Sequence, residues 1–400
     1  MSVEYFRKKQ LNLQNEISLD FIRTGYWNEI TSNERLIGLI GHRGAGKTTL
    51  LLQYLKSEYE IMESLYISAD DIIMSETTIY KIADEFYSLN GKILIIDEIH
   101  KYKNWAQELK NIYDSFPKLK IRFSGSSMLN ILHEQYDLSR RAYIVKMNEL
   151  SFREYLKFKY KIDLDSFNLD EILSDSIKIS SDLISKYSYI FPEFAEYLKI
   201  GGYPYFVESP KHFTSKLFNS IQKIIYEDIP SLNKIEYSHL SFFQKIIYRV
   251  VASKVPYKVN VSKISREIGI SQPTLYTYLE ILGKSGIFSP LRKYSQNISK
   301  KPDKLYFRNT NILNAFSNEF GFEIDTGTYR ETFFVNCFEE NIFYSDIGDF
   351  KVDDKFFEIG GKNKTFKQLG NSENSYLVID TDITVNPRKI PLWLFGFLKQ

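Results

Sequence analysis

The chain predicts an α/β fold built on a parallel sheet, and three observations carry that prediction. Short apolar runs alternate with helical stretches from Arg35 to about Leu150. The run at 93–96, ILII, is apolar throughout, as a strand buried on both faces requires. A glycine-rich loop follows the first run and opens a helix. Strand, helix, strand, helix at this rhythm gives a parallel sheet with helices on both faces.

The expected strands are LIGLIG (36–41), SLYISAD (64–70), KILIIDEI (92–99), KIRFSGSS (120–127) and AYIVKMNEL (142–150). Between them, TTLLLQYLKSEY and NWAQELKNIYDSF carry apolar residues at three- and four-residue spacing, the period of a helix with one buried face. A chain of 400 residues exceeds the size of a single core, so further domains are expected. We read 1–150 as the loop-bearing domain, 151–235 as a helical lid or linker, 236–308 as a helix-turn-helix unit with a wing, and 309–400 as a small α/β domain. Gly201, Gly202 and Pro204 form a helix stop within the second of these.

Composition narrows the classes. Apolar residues make up 43% of the chain, enough for packed cores. The net charge of +2 leaves any polyanion-binding surface local. Cys337 is the single cysteine, so neither an internal disulfide nor a Cys-type zinc site can form. The N-terminus carries charges throughout and does not read as a signal peptide. The longest apolar run, Ile390 to Leu398, is too short to span a bilayer and reads as a buried strand or helix. A cytoplasmic protein with no membrane partner is expected.

Gly41-His42-Arg43-Gly44-Ala45-Gly46-Lys47-Thr48 fits the pattern G-x-x-x-x-G-K-[ST], between an apolar strand and a helix. The glycines let backbone N–H groups turn inward onto phosphate oxygens. The following helix adds its positive N-terminal dipole. Lys47 offers a compact cation to the β and γ phosphates, and the Thr48 hydroxyl is placed for Mg²⁺. Thr49 stands one position out of frame. Downstream, ILIIDE (93–98) ends a buried strand in two acids. Asp97 is expected to hold magnesium and Glu98 to polarise an attacking water. Ser124 or Ser126, at the end of KIRFSGSS, either orients that water or serves turn chemistry. Arg140 and Arg141 precede the fifth strand. One of them reaches a γ-phosphate in a neighbouring subunit of a homo-oligomer, or the two are a solvated basic pair.

GHRGAGKTTLL, ILIIDEIHKYKNWAQELKNIYD, FSGSSMLN, LSRRAYIVKMNELSFREYL and GGYP occur in this order. In these segments the chain resembles AAA-type P-loop ATPases of the archaeal-ATPase-like group. The resemblance implies ATP and Mg²⁺ as the bound species, with a helical lid, a winged helix and a restriction-endonuclease-like C-terminal domain. It makes Arg141 the counterpart of the family arginine and puts Arg140 where the family has glycine.

The winged-helix candidate is Val261 to Ile270 followed by Ser271-Gln272-Pro273-Thr274-Leu275-Tyr276. Gly269 can end the first helix and Ser271 can cap the second. Ile264, Ile268, Leu275, Tyr278, Leu279 and Leu282 are expected inside. Ser271, Gln272, Thr274 and Thr277 would then face outward where double-stranded DNA is read. Arg292, Lys293, Lys300, Lys301 and Lys304 would stand on the wing for phosphates. The same unit could instead serve only packing or subunit contact.

In the last domain, Asp349 and Glu358 have the spacing of a metal-binding nuclease pair, with Glu331 a third carboxylate. Such sites end Glu-x-Lys, and here that lysine position is Gly360. Lys362 substitutes if the backbone bends. Otherwise the domain is an inactive nuclease-like platform, which is the reading we prefer. The function expected is magnesium-dependent ATP hydrolysis coupled to DNA. The alternatives are an ATP-gated nuclease and a non-enzymatic nucleotide switch that scaffolds a protein partner.

Overall fold

The computed structural model describes residues 2–125, 138, 140–230, 235–253, 257–294, 302–338, 341–370 and 374–399. Ser126, Lys300 and Lys301 lie outside the described residues. The chain divides into two compact units, Met1–Glu149 and Leu150–Gln400.

The first unit runs α1 (Ser2–Glu16), α2 (Thr24–Ile30), β1 (Leu36–Ile40), α3 (Lys47–Glu58), β2 (Ser64–Ser68), α4 (Ile79–Ser88), β3 (Ile93–Asp97), α5 (Trp105–Ser115), β4 (Lys120–Gly125) and β5 (Ala142–Lys146). All five expected strands form, the last ending at Lys146. They make one parallel sheet in the order β2-β3-β4-β1-β5. Each residue of β1, β2 and β3 is buried, which explains their largely apolar character. Alternate side chains feed two cores. Leu36, Ile40, Leu65, Leu94, Ile96 and Phe123 pack with Ile82 and Phe86 of α4 and Leu109 and Ile112 of α5. Ile37, Leu39, Tyr66 and Ile95 pack with Leu51, Tyr54 and Leu55 of α3.

One polar residue breaks the pattern. Arg122, in mid-β4, is fully buried. Its guanidinium donates to the carbonyls of Ile30 at 2.7 Å, Glu34 at 2.9 Å and Ser32 at 3.1 Å. It thereby satisfies the backbone leaving α2, whose terminal carbonyls have no helical partner.

The second unit begins with four helices, α6 (Phe152–Tyr160), α7 (Leu169–Lys186), α8 (Ile190–Ile200) and α9 (Phe213–Lys223). Ser151 and Glu154 form a reciprocal capping box at the start of α6. Helix α8 stops at Ile200 with Gly201 as its cap. There follow α10 (Leu240–Val251), β6 (Tyr257–Lys258), α11 (Val261–Ile268), α12 (Gln272–Lys284), β7 (Phe288–Leu291) and β8 (Lys304–Phe307). Gly269 ends α11 at φ 82°, and the Ser271 hydroxyl caps α12 by accepting from the Thr274 amide at 3.2 Å. Strands β6, β8 and β7 form an antiparallel sheet in that order.

The remainder is α13 (Thr310–Phe320), α14 (Thr326–Cys337), β9 (Ile342–Tyr344), β10 (Phe350–Val352), β11 (Lys355–Gly360), β12 (Ser375–Ile379) and β13 (Lys389–Pro391). Its five-stranded sheet has the order β13-β12-β11-β10-β9, antiparallel from β9 to β11 and parallel from β11 to β13. Phe334 of α14 meets the rings of Phe350, Phe357 and Phe395 over this sheet. The run at 390–398 is buried as expected, as the end of β13 and a short 3₁₀ segment. Among the described residues no helix is long and apolar enough to cross a membrane.

Candidate functional site

The glycine-rich loop leaves β1 and enters α3. Each glycine has its own reason. A Cβ on Gly41 would lie 2.1 Å from the Met147 carbonyl oxygen, so only glycine lets the loop pass β5. Gly44 and Gly46 take φ of 80° and 97°, where a side chain is strained. Gly46 caps α3, so the first free helical N–H groups point into the loop. His42 and Ala45 are buried, Arg43 is half-buried, and Thr49 is exposed.

Lys47 is 5% exposed. Its ammonium donates to the carbonyls of Gly41 and His42, each at 2.8 Å. Burial pushes it down to about 8, Glu98 and Asp97 oppose that, and Arg43 reinforces it.

Asp97, at the end of β3, is also buried, and three hydroxyls hold it. Thr48 donates to its Oδ2 at 2.7 Å, Tyr66 donates to the same oxygen at 2.7 Å, and Ser124 donates to Oδ1. Burial and the Asp97 charge push the Tyr66 phenol far up, so it remains a donor. The order β3-β4-β1 makes this possible. It places Ser124 of β4 between the Asp97 strand and the loop strand, at the crevice beyond the strands' carboxyl ends. Ser124 thus holds an acid and does not stand open to solvent.

Glu98 follows in a left-handed conformation, φ 53° and ψ 39°. This costs a residue with a Cβ on the order of 1 kcal/mol. The Glu98 amide donates to the Ser124 hydroxyl at 3.2 Å, and its carbonyl accepts from Lys101 at 2.9 Å. These bonds hold the turn that takes the Glu98 side chain off the strand direction. Glu98 is 25% exposed, and His100 Nε2 lies 3.4 Å from its Oε2.

Sequence reasoning missed Tyr66, His100 and Arg23. Arg23, 4% exposed, donates to the carbonyls of Ala45 at 3.3 Å, Asn148 at 2.6 Å and Glu149 at 3.1 Å. It ties the phosphate loop to the segment after β5. No local pattern marks it, because its partners lie far along the chain.

Arg141 lies at the opposite edge of the sheet. It precedes β5, whose first residue, Ala142, pairs with Leu36 at the start of β1, whereas the loop follows the end of β1. Arg141 makes a two-pronged ion pair with Asp114 at 3.0 Å and 3.0 Å. It cannot reach the loop of its own chain. Arg140 is exposed.

In the second unit, Ile264, Ile268, Leu275, Tyr278, Leu279 and Leu282 are buried as expected. Ser271, Gln272 and Thr277 are exposed, and Thr274 is half-buried. Arg292 and Lys293 are exposed, with Lys293 paired to Asp346. Lys304 departs from expectation. It is 7% exposed, with its ammonium 4.4 Å from the centre of the Tyr344 ring, so it is no phosphate contact on a wing.

At Glu358 the partner lysine also differs from expectation. The lysine at Glu358 is Lys364, 2.5 Å away, and Lys362 is exposed. Gly360 is the cause. A Cβ there would meet the Lys364 side chain at 2.5–2.8 Å, so the missing side chain makes room for the lysine to cross. Asp349 Oδ2 accepts from the Ile359 amide at 2.9 Å, and Glu331 accepts from the Tyr306 hydroxyl at 2.7 Å. Burial, then Asp349, pushes Glu331 up to about 7. Among the described residues no group of three or more His, Cys, Asp or Glu side chains is gathered to hold a metal ion.

Comparison with known proteins places the first unit. Residues 33–156 match the family model described as an AAA domain, and residues 192–323 match a domain of unknown function, DUF8612. The uncharacterized protein MJ1637 of Methanocaldococcus jannaschii is 29% identical over 311 residues, which are 74% of this chain and 65% of that protein. The chain therefore spans somewhat less than two thirds of that relative's length. Among solved structures, the Walker-type ATPase PABY2304 of Pyrococcus abyssi is 14% identical with a TM-score of 0.41, covering 72% of this chain and 92% of that one. The S. cerevisiae Hsp104–ADP complex is 16% identical with a TM-score of 0.33, covering 70% and 43%. Residues 33–156 thus match an AAA domain, and the sheet and loop of the first unit are those of a P-loop core.

Proposed function

We propose that the first unit hydrolyses ATP with magnesium, and that the helix-turn-helix of the second unit binds double-stranded DNA whose engagement the ATP cycle alters. One observation carries the reading above all. A buried aspartate, Asp97, is joined to the loop threonine Thr48 and followed by an acid whose backbone is turned off the strand. A carboxylate and a hydroxyl at this separation suit a hard divalent cation with oxygen ligands. Bound magnesium would neutralise charge on the β and γ phosphates. Lys47 exchanges its two loop carbonyls for phosphate oxygens. Glu98 draws a proton from the attacking water, and Ser124 keeps Asp97 and the Glu98 backbone in register.

DNA binding is supported by the polar, exposed front of α12 and by Arg292. It is weakened by the burial of Lys304. In a homo-oligomer Arg141 would have to leave Asp114 to serve a neighbour's nucleotide. The helical segment 151–235 acts as the lid, and the protein works in the cytoplasm. The test is ATP turnover by the protein and by Glu98→Gln, each with and without duplex DNA. Turnover that DNA raises and the substitution abolishes supports the reading. Tight ATP binding without turnover favours a nucleotide switch that scaffolds a protein partner.

A second reading rests on Lys364. Its place at Glu358 supplies the cation that Gly360 lacks, beside Asp349 and Glu331. It therefore revives an ATP-gated nuclease holding magnesium at Asp349 and Glu358. Magnesium-dependent DNA cleavage lost in Lys364→Met would support it. No cleavage of any DNA form would end it.

A further inference from the structure

Among the buried titratable groups, one stands beside the reaction centre and is left unused by the mechanism above. His100 sits in the 3₁₀ turn that Glu98 caps, and its side chain is 2% exposed. Burial, then the nearby cations of Lys101, Arg43 and Lys47, pushes it down to about 3. At neutral pH it is an uncharged imidazole. A carboxylate only accepts hydrogen bonds, so the 3.4 Å approach of Nε2 to Glu98 Oε2 calls for the tautomer with hydrogen on Nε2.

The neutrality matters chemically. A lysine or arginine at this distance would fix the Glu98 carboxylate but would also favour its charged form and weaken it as a base. An uncharged donor fixes direction with much less loss of basicity. The left-handed backbone of Glu98 sets where the side chain begins, and the His100 imidazole lies beside one of its oxygens. The His100 side chain is enclosed, whereas that of Glu98 is 25% exposed.

We propose that His100 is the positioning residue of Glu98, an enclosed imidazole beside the carboxylate that orients it toward the attacking water. This rests on the reading of Glu98 as the base. The variants are His100→Gln, whose amide nitrogen reaches about as far as Nε2, and His100→Asn, equally polar but one methylene shorter. Each is assayed for ATP kcat and KM, alongside Glu98→Gln, and in combination with it.

The expected result is that His100→Asn lowers kcat by about 10- to 100-fold, as loss of a supporting partner does elsewhere, with KM little changed. His100→Gln restores most of the loss. In the Glu98→Gln background neither substitution has a further effect, since the group to be oriented is no longer a base. Equal turnover in His100→Gln and His100→Asn overturns the positioning role, and a rise in turnover on losing the histidine overturns it in the other direction. If Glu98→Gln itself turns over normally, the assignment of the base fails, and that is a different failure from the first two.

Discussion

The Thr48 hydroxyl and the Asp97 carboxylate meet at 2.7 Å, joining the first turn of α3 to the end of β3. Two oxygens brought together from a helix and a strand in this way would suit the magnesium ion of the proposed function. Thr48→Val keeps shape and removes the oxygen. We expect it to weaken magnesium–ATP binding by at least about tenfold while metal-free ATP binding changes little. Calorimetric titration with magnesium and with a chelator separates the two. Equal losses under both conditions would show that Thr48 serves the phosphates alone.

Lys47 makes stability depend on pH. Its pKa is about 8 in the folded chain and 10.5 in the ordinary case. Below about pH 8 both states carry the proton, and the cost of the buried charge is fully present. Between pH 8 and 10.5 the unfolded chain keeps a proton that the folded chain has released, so stability rises with pH. Lys47→Met should abolish ATP binding. It should also raise the melting temperature at neutral pH, by a free energy of up to on the order of 3 kcal/mol, less what the two loop carbonyls lose. Thermal unfolding without added nucleotide across that pH range reads both effects, and the rise should be absent in the variant.

Tyr66 supplies the least expected of the three hydroxyls on Asp97. Tyr66→Phe leaves the ring in its core and removes only the donor. The magnesium concentration for half-maximal ATPase activity should rise by about tenfold, with folding intact. An unchanged magnesium requirement would reduce Tyr66 to a satisfied core residue.

Arg122→Leu should destabilise the first unit by on the order of 3 kcal/mol, because the carbonyls of Ile30, Ser32 and Glu34 lose their buried donor. Urea unfolding would show a lower midpoint with an unchanged slope. A loss under about 1 kcal/mol would mean that water replaces the guanidinium.

What could be read from the sequence was local. The loop of Gly41 to Thr48 and the strand ending in Asp97 and Glu98 announce themselves, because one stretch of chain holds each whole chemical unit. The strands were legible for a similar reason, most plainly β1 and β3, whose burial on both faces leaves near-continuous apolar runs. The order of those strands was not, and so the place of Ser124 between β1 and β3 was not. Tyr66 and Arg23 reach their partners across 31 and 125 residues, and nothing near them in sequence marks the contact. His100 stands in IHKYKN, which reads as an exposed polar turn, and only packing encloses it. Lys304 was misread because strand alternation does not say which face is covered. The lysine at Glu358 was sought two residues too early, because the path of a side chain over Gly360 is a property of space and not of spacing.

Ser124 gives its hydrogen to one acid and receives one from the amide of the next. A single oxygen therefore stands between the residue proposed to hold the metal and the residue proposed to make the nucleophile. The three positions are coupled through that oxygen. A threonine at 124 keeps the oxygen and can be tried. An alanine there alters the surroundings of both acids at once, and a later change at 97 or 98 would be judged against that altered ground. The strand end is thus a point of epistasis, where one substitution changes the meaning of two others.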